Sequence, residues 1–375
     1  MTKNFSTYLD AVRFLAALTV MGCHLTFPQF TGGIVAYQSD LAAIAVTTFF
    51  VLSGYVIAYV AAEKEHTVSA YAVSRMARVY SVALPALLLV IALDWAGHWL
   101  GSPRALPLYQ YAGLWKYLPL FLTFSTQIVG IKENVLTDQS FWSLSYEVWY
   151  YIAFAVAFYL TGWRRNFLLA AVLLVMGPRI LLLLPLWLSG CALYFAHRRL
   201  VISRVSARVL FFISLAALLA IRLFGIDDWI DSQIYPLFGH FSPRQMANSR
   251  QFASQYFVAA CIAVNFFSAR FCEFRLFDQP AVRSVIVYLA SFTFSLYLIH
   301  RPLLDFYAFV IRHNPHSVLS LMVLIVLTLG TTWIFGVLTE QRKKWWRTLF
   351  RNLFDGLGLW RPTLETERKY QGILK

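Results

Sequence analysis

The segment from Leu41 to Ala62 reads LAAIAVTTFFVLSGYVIAYVAA and contains no charged residue. A helix of this length spans the hydrocarbon core of a bilayer, which requires about 20 apolar residues. Similar apolar segments recur along the chain, in which 59% of the 375 residues are hydrophobic and 13% are charged. That charged share is about half of what soluble domains carry. The sequence therefore predicts an all-α polytopic membrane protein.

The apolar segments predict about ten transmembrane helices. They cover residues 10–27, 41–62, 79–99, 141–161, 166–177, 180–196, 207–225, 253–271, 285–311 and 317–339. A weaker apolar stretch at 114–130 is predicted to be re-entrant or interfacial, because a full crossing would invert the sides of later connections. Segment 166–177 is short and precedes Gly177-Pro178, so 166–196 is also compatible with broken helices. We divide the chain into a membrane domain at 1–345 and a cytoplasmic tail at 346–375.

The net charge of +14 resides in short Lys and Arg clusters between the apolar segments. Such clusters mark the cytoplasmic side of membrane proteins, whereas nucleic-acid binding requires one continuous basic face. Residues 28–40 contain no Lys or Arg, while 63–78 contain Lys64, Arg75 and Arg78. The pattern predicts that both termini are cytoplasmic and that no nucleic acid binds. Residues 226–252 are then an external loop, suited to act as a lid over an acceptor.

No metal site is predicted from the cysteines. Cys23, Cys191, Cys261 and Cys272 are scattered through apolar segments without the spacing of zinc ligands or of a disulfide framework. Cys23 is an alternative nucleophile, although a thiol without an activating partner is more often a packing residue.

Ionisable residues within apolar segments are costly, so each is a candidate for function. Arg13 and His24 are eleven positions apart and share one helix face, separated by about 16 Å along the axis. A neutral imidazole at His24 can act as a general base, or it can be a buried ring satisfied by a neighbour. Arg75 and Arg78 also share a face and form either a phosphate clamp or a simple topological anchor.

The segment FWSLSYEVWYY, from Phe141 to Tyr151, places Glu147 about two turns into the membrane. We expect this carboxylate to orient His24 and to stabilise its charged form. Trp142, Ser143 and Tyr146 are expected to contact an acceptor, although aromatic residues here also suit an interfacial belt. In a later segment, His300 lies at a similar depth, and the neighbouring Arg301 and Asp305 are spaced to form an ion pair.

Five segments together resemble a known family, and they occur in its order. They are YLDAVRFLA with Cys-His in 8–24, FFVLSGYVI in 49–57, RMARVY in 75–80, FWSLSYE in 141–147 and SLYLIHRP in 295–302. The family is the bacterial integral-membrane acyltransferase family 3. In that family an arginine and a histidine with this spacing form the functional pair, which maps onto Arg13 and His24, and the paired arginines map onto Arg75 and Arg78. The chain departs from the family at Ser81, where proline is common, and at Glu340-Gln341, where Glu-Arg-Pro is common.

The resemblance implies a ten-helix enzyme of the bacterial inner membrane that acylates surface polysaccharides or related acceptors with acyl-CoA from the cytoplasm. We therefore expect Arg13, Arg75 and Arg78 to bind the phosphates of acetyl-CoA. His24, supported by Glu147, would deprotonate a sugar hydroxyl, with an acyl-histidine intermediate as a variant. Trp142, Ser143, Tyr146 and His300 would bind the saccharide. The alternative from another class is a transporter or flippase of an anionic lipid or sugar.

Overall fold

A computed structural model describes residues 1–34, 39–102, 114–238 and 246–360. Within these ranges the regular elements are helices, apart from one isolated β-bridge between Val135 and Asp138. The α-helices are α1 (Lys3–Leu25), α2 (Pro28–Thr31), α3 (Ser39–Glu63), α4 (Val68–Trp99), α5 (Leu114–Leu122), α6 (Phe141–Tyr159), α7 (Gly162–Arg199), α8 (Arg204–Leu223), α9 (Ile226–Ile234), α10 (Phe252–Cys272), α11 (Pro280–Ala290), α12 (Thr293–Val310), α13 (Val318–Leu338) and α14 (Lys343–Gly356). The all-α polytopic fold is thus confirmed.

Seven helices in the described part of the chain are long and apolar enough to cross a membrane, or eight if the bent pair α11–α12 forms one span. They match eight of the ten predicted segments, because 166–177 and 180–196 both lie in α7. Gly177 interrupts α7 with a φ of 69°, so the expected break is present as a kink. The 285–311 segment corresponds to the bent pair, and 141–161 corresponds to α6, which carries Glu147.

The weaker apolar stretch at 114–130 contains only the short helix α5, followed by irregular chain. Nine residues extend about 14 Å, less than half of the hydrocarbon thickness, so α5 does not cross by itself. At the other end of the chain, α14 continues through position 345, the predicted boundary between domain and tail. Residues 361–375 of that tail lie outside the described residues.

Two glycines allow α3 and α7 to pack backbone against backbone. A Cβ atom placed on Gly54 would lie 1.9 Å from the Trp187 carbonyl oxygen, and one on Gly190 would lie 1.9 Å from the Val51 carbonyl oxygen. Small residues permit this approach between membrane helices, where close packing drives association. The contact fixes α3, and with it Ser53, against the centre of the bundle.

The helices that carry the candidate residues meet around this core. Helix α1 packs against α3 and α12, and α12 also packs against α4. A 47° bend separates α11 from α12. As a result, His24 near the end of α1 faces His300 on α12. Arg13, in the first half of α1, lines the same cavity as Arg75 and Arg78 of α4.

Candidate functional site

His24 and His300 form a direct pair inside the bundle. His24 Nδ1 lies 2.7 Å from His300 Nε2, and His300 Nδ1 lies 2.8 Å from the Leu296 carbonyl oxygen. Their rings stack with centroids 4.9 Å apart, and His300 is fully buried. Helix α12 thus holds one imidazole directly behind the other.

The chain of hydrogen bonds assigns the protons on two neutral rings. A carbonyl oxygen only accepts, so His300 Nδ1 must carry its hydrogen and donate to Leu296. His300 Nε2 is then the acceptor, and His24 Nδ1 donates to it. The lone pair of His24 is therefore on Nε2, the atom that His300 does not contact, and it is available to take a proton.

His24 lines a cavity of about 640 Å³, which we call the histidine cavity. Its wall combines an aromatic ring, carboxamides and carboxylates: Trp142, Gln139, Asn248, Gln251, Gln255, Asp228 and Asp231. Asp228 and Asp231 belong to α9, within the 226–252 segment that was predicted to form a lid. Planar polar groups beside an aromatic face suit a polyhydroxylated ligand.

A second cavity of about 400 Å³, the basic cavity, contains all three predicted arginines. Arg13, Arg75 and Arg78 line it together with Lys343, Lys344 and Arg347 of α14. The α14 residues were not among the predicted site residues, so their place in this wall was missed. Such a concentration of cations suits a ligand with several phosphates.

Two of the arginines already have carboxylate partners outside the cavity. Arg75 forms an ion pair with Glu65 at 3.1 Å, and its guanidinium lies over the rings of Tyr71 and Tyr151. Arg13 pairs with Asp10 at 3.4 Å. These partners hold the guanidinium groups in place and offset part of their charge.

Glu147 does not support His24, contrary to the sequence-based expectation. Its carboxylate accepts hydrogen bonds from Ser53, at 2.5 Å, and from the Tyr151 hydroxyl, and it lines the basic cavity. Ser53 in turn accepts a hydrogen bond from Trp187 Nε1 at 3.2 Å. The expectation failed because depth in the membrane fixes the height of a residue but not the helix face to which it points; His300 takes the place beside His24.

Tyr297 separates the two cavities. It lines both, as does Val46, and its hydroxyl is 2.6 Å from Ser143 Oγ. Tyr297 is three residues before His300, so both side chains lie on one face of α12. We call the Tyr297–Ser143 contact the partition. Tyr297 was overlooked in the sequence, although it lies within the SLYLIHRP segment.

The residues expected to bind an acceptor fall into different places. Trp142 lines the histidine cavity, whereas Ser143 lines the basic cavity and His300 lies behind His24. Tyr146 is fully buried, and its hydroxyl is 3.2 Å from Ser249 Oγ. Its ring also meets that of Trp142 edge-on, with centroids 5.1 Å apart, so Tyr146 supports the wall of the histidine cavity. The predicted ion pair between Arg301 and Asp305 is present, at 2.8 Å.

These features define a polytopic membrane protein with a buried histidine pair beside one of two adjoining, chemically different cavities. The chain belongs to an acyltransferase family, because a family model described as an acyltransferase domain matches residues 6–339. The predicted family and enzyme class are thereby confirmed.

A curated relative is acyltransferase MdmB of Streptomyces mycarofaciens, which is 35% identical over 86 residues, or 22% of each chain. The chain therefore aligns with only about a fifth of that relative's length. No solved structure matches. The alternative of a transporter or flippase finds no support in these comparisons.

Proposed function

We propose that this membrane acyltransferase transfers an acetyl group from acetyl-CoA in the basic cavity to a saccharide hydroxyl in the histidine cavity. The observation that carries the proposal is the arrangement of the two cavities. One is rich in cations, the other in carboxamides and an aromatic ring, and they share Tyr297 and Val46. His24 lines the second cavity, close to where they meet.

The donor enters with its phosphates at Arg13 and Arg78, and its pantetheine arm extends toward the partition. Arg13 and His24 are about 16 Å apart along α1, a separation that calls for a long and narrow arm. Glu147 lies along this path, where its carboxylate accepts a hydrogen bond from a pantetheine amide. This role replaces its expected support of His24.

In the transfer step, His24 Nε2 takes the proton of the acceptor hydroxyl while the oxygen attacks the thioester carbonyl carbon. The new C–O ester bond forms as the C–S bond breaks. The thiolate of CoA leaves and takes the proton from His24, so the products are the ester and free CoA. His300 holds the His24 ring in the required tautomer through the hydrogen bond to Nδ1.

We place the protein in the bacterial inner membrane, with the basic cavity and both termini facing the cytoplasm. The charge pattern supports this side, because residues 28–40 contain no Lys or Arg, whereas residues 63–78 contain Lys64, Arg75 and Arg78. Acyl-CoA is then available at the basic cavity, and a glycoconjugate at the histidine cavity.

Membrane vesicles with acetyl-CoA radiolabelled in the acetyl group test the proposal. Vesicles that contain the protein should release free CoA and place alkali-labile label in the glycan fraction; vesicles with His24→Ala should do neither. Label that moves between compartments without CoA release would indicate transport and contradict the proposal.

A further inference from the structure

The first turn of α14 forms part of the wall of the basic cavity. Lys343, Lys344 and Arg347 line it, and Lys343 and Arg347 are four positions apart on one helix face. The rest of α14 packs along α4, where the rings of Phe350 and Tyr80 have centroids 5.6 Å apart. The packing holds these basic residues beside Arg78.

The basic cavity carries more positive charge than its own carboxylates balance. Six basic side chains line it, against the two carboxylates of Glu147 and Glu340. Asp10 and Glu65 offset Arg13 and Arg75 from outside the wall. Arg78, Lys343 and Lys344 form no ion pair with any residue that the structure describes. The excess of cations over carboxylates in this wall therefore lies at Arg78, Lys343 and Lys344.

We propose that Lys343, Lys344 and Arg347 form a binding site for a terminal phosphomonoester of the donor, the 3′-phosphate of acyl-CoA. A phosphomonoester carries a charge of about −1.5 to −2 at neutral pH, more than either phosphate of a diphosphate diester. Lys343 and Lys344 are exposed, as expected at the mouth of a cavity, while Arg13 lies deeper. The diphosphate binds at the deeper arginines, and the 3′-phosphate at the mouth. This inference rests on the proposed acyl-CoA donor.

The phosphate of an anionic lipid headgroup has related chemistry, so the experiment must separate the two sources. Removing the 3′-phosphate from the donor tests whether the site binds the donor. Replacing anionic lipid with phosphatidylcholine tests whether the site binds a lipid headgroup. The full chain is therefore assayed in nanodiscs of each composition, with acetyl-CoA and with acetyl-dephospho-CoA, by the release of free thiol.

The double variant Lys343→Gln/Lys344→Gln should raise KM for acetyl-CoA about tenfold, with kcat unchanged, and leave KM for acetyl-dephospho-CoA unchanged. The wild type should prefer acetyl-CoA over the dephospho donor by a similar factor, in both lipid compositions. The control is Arg199→Gln, which removes an exposed cation at the end of α7 that does not line the cavity, and which should leave both KM values unaltered.

Equal increases in KM for both donors would overturn the site, because the cations would then attract any anionic donor. If the increase in KM of the double variant occurs in anionic nanodiscs but not in phosphatidylcholine, the site binds a lipid headgroup and the proposal is overturned. If the wild type consumes neither donor, the acyl-CoA proposal itself fails and the phosphate site falls with it. Size-exclusion profiles and melting temperatures of both variants establish that they fold.

Discussion

The position of a single proton determines what His24 can do. Its Nδ1 is used in the bond to His300, so all base chemistry must occur at Nε2. The sequence indicated both histidines and their similar depth, and it also predicted the arginines of the basic cavity. It failed for Glu147, whose partners Ser53 and Tyr151 depend on how α3 and α6 rotate about their own axes. Periodicity in a nearly uniformly apolar helix does not specify that rotation.

His24→Ala should lower the transfer rate by about 10²- to 10⁴-fold, the usual contribution of a general base, while the protein still inserts and folds.

His300→Ala should lower kcat with little change in donor KM, since it removes the acceptor that fixes the His24 tautomer. His300→Gln is the matched variant, because its side-chain carbonyl can still accept a hydrogen bond from His24. It should recover part of the lost rate.

Initial rates with acetyl-CoA measure all three variants, and melting temperatures in detergent control for folding. A His24→Ala variant with wild-type activity would exclude the proposed base. Equal losses for His300→Ala and His300→Gln would exclude a role for His300 in setting the tautomer.

Among the helices, α4 best shows what the sequence predicts and what it leaves open. The apolar pattern placed a span at 79–99, but α4 begins at Val68, so Arg75 and Arg78 lie well inside a continuous helix. Thr67 caps its start by accepting a hydrogen bond from the Ala70 amide at 3.2 Å. A capping residue in a polar connection is a local signal that hydropathy does not measure.

Gly190→Ala should destabilise the protein by about 1–3 kcal/mol or more, because the added methyl meets backbone atoms of α3 that cannot rotate away. The matched control is Gly22→Ala in α1, where a Cβ atom meets nothing within 4 Å. Thermal unfolding in one detergent compares the two variants. A Gly190→Ala variant as stable as Gly22→Ala would mean that α3 and α7 do not cross at this glycine.

At the scale of the whole molecule, the partition separates acetyl-CoA in the basic cavity from water in the histidine cavity. Tyr297→Ala should open it and raise acetyl-CoA hydrolysis several-fold in the absence of any acceptor. Tyr297→Phe retains the ring and loses only the hydroxyl, so it should hydrolyse much less. Release of free CoA without acceptor measures both. Equal hydrolysis by both variants would show that the ring does not seal the cavities.

The orientation of the molecule is tested with single cysteines in a variant that lacks Cys23, Cys191, Cys261 and Cys272. Cysteines at the exposed positions Ile34 and Gln233 should react with a membrane-impermeant thiol reagent added outside intact cells. Cysteines at His66 and Val201 should react only after the cells are opened. External labelling at His66 would reverse the orientation and place the basic cavity away from acyl-CoA.

Because the two cavities approach Tyr297 from different sides, neither substrate has to leave before the other can enter. The kinetic order should therefore be that of a ternary complex, in which double-reciprocal plots at several acceptor concentrations intersect. CoA should compete with acetyl-CoA and not with the acceptor. An acyl-histidine at His24 would instead give the parallel lines of a ping-pong scheme. The wall between two cavities thus determines whether both substrates are bound at the moment of transfer.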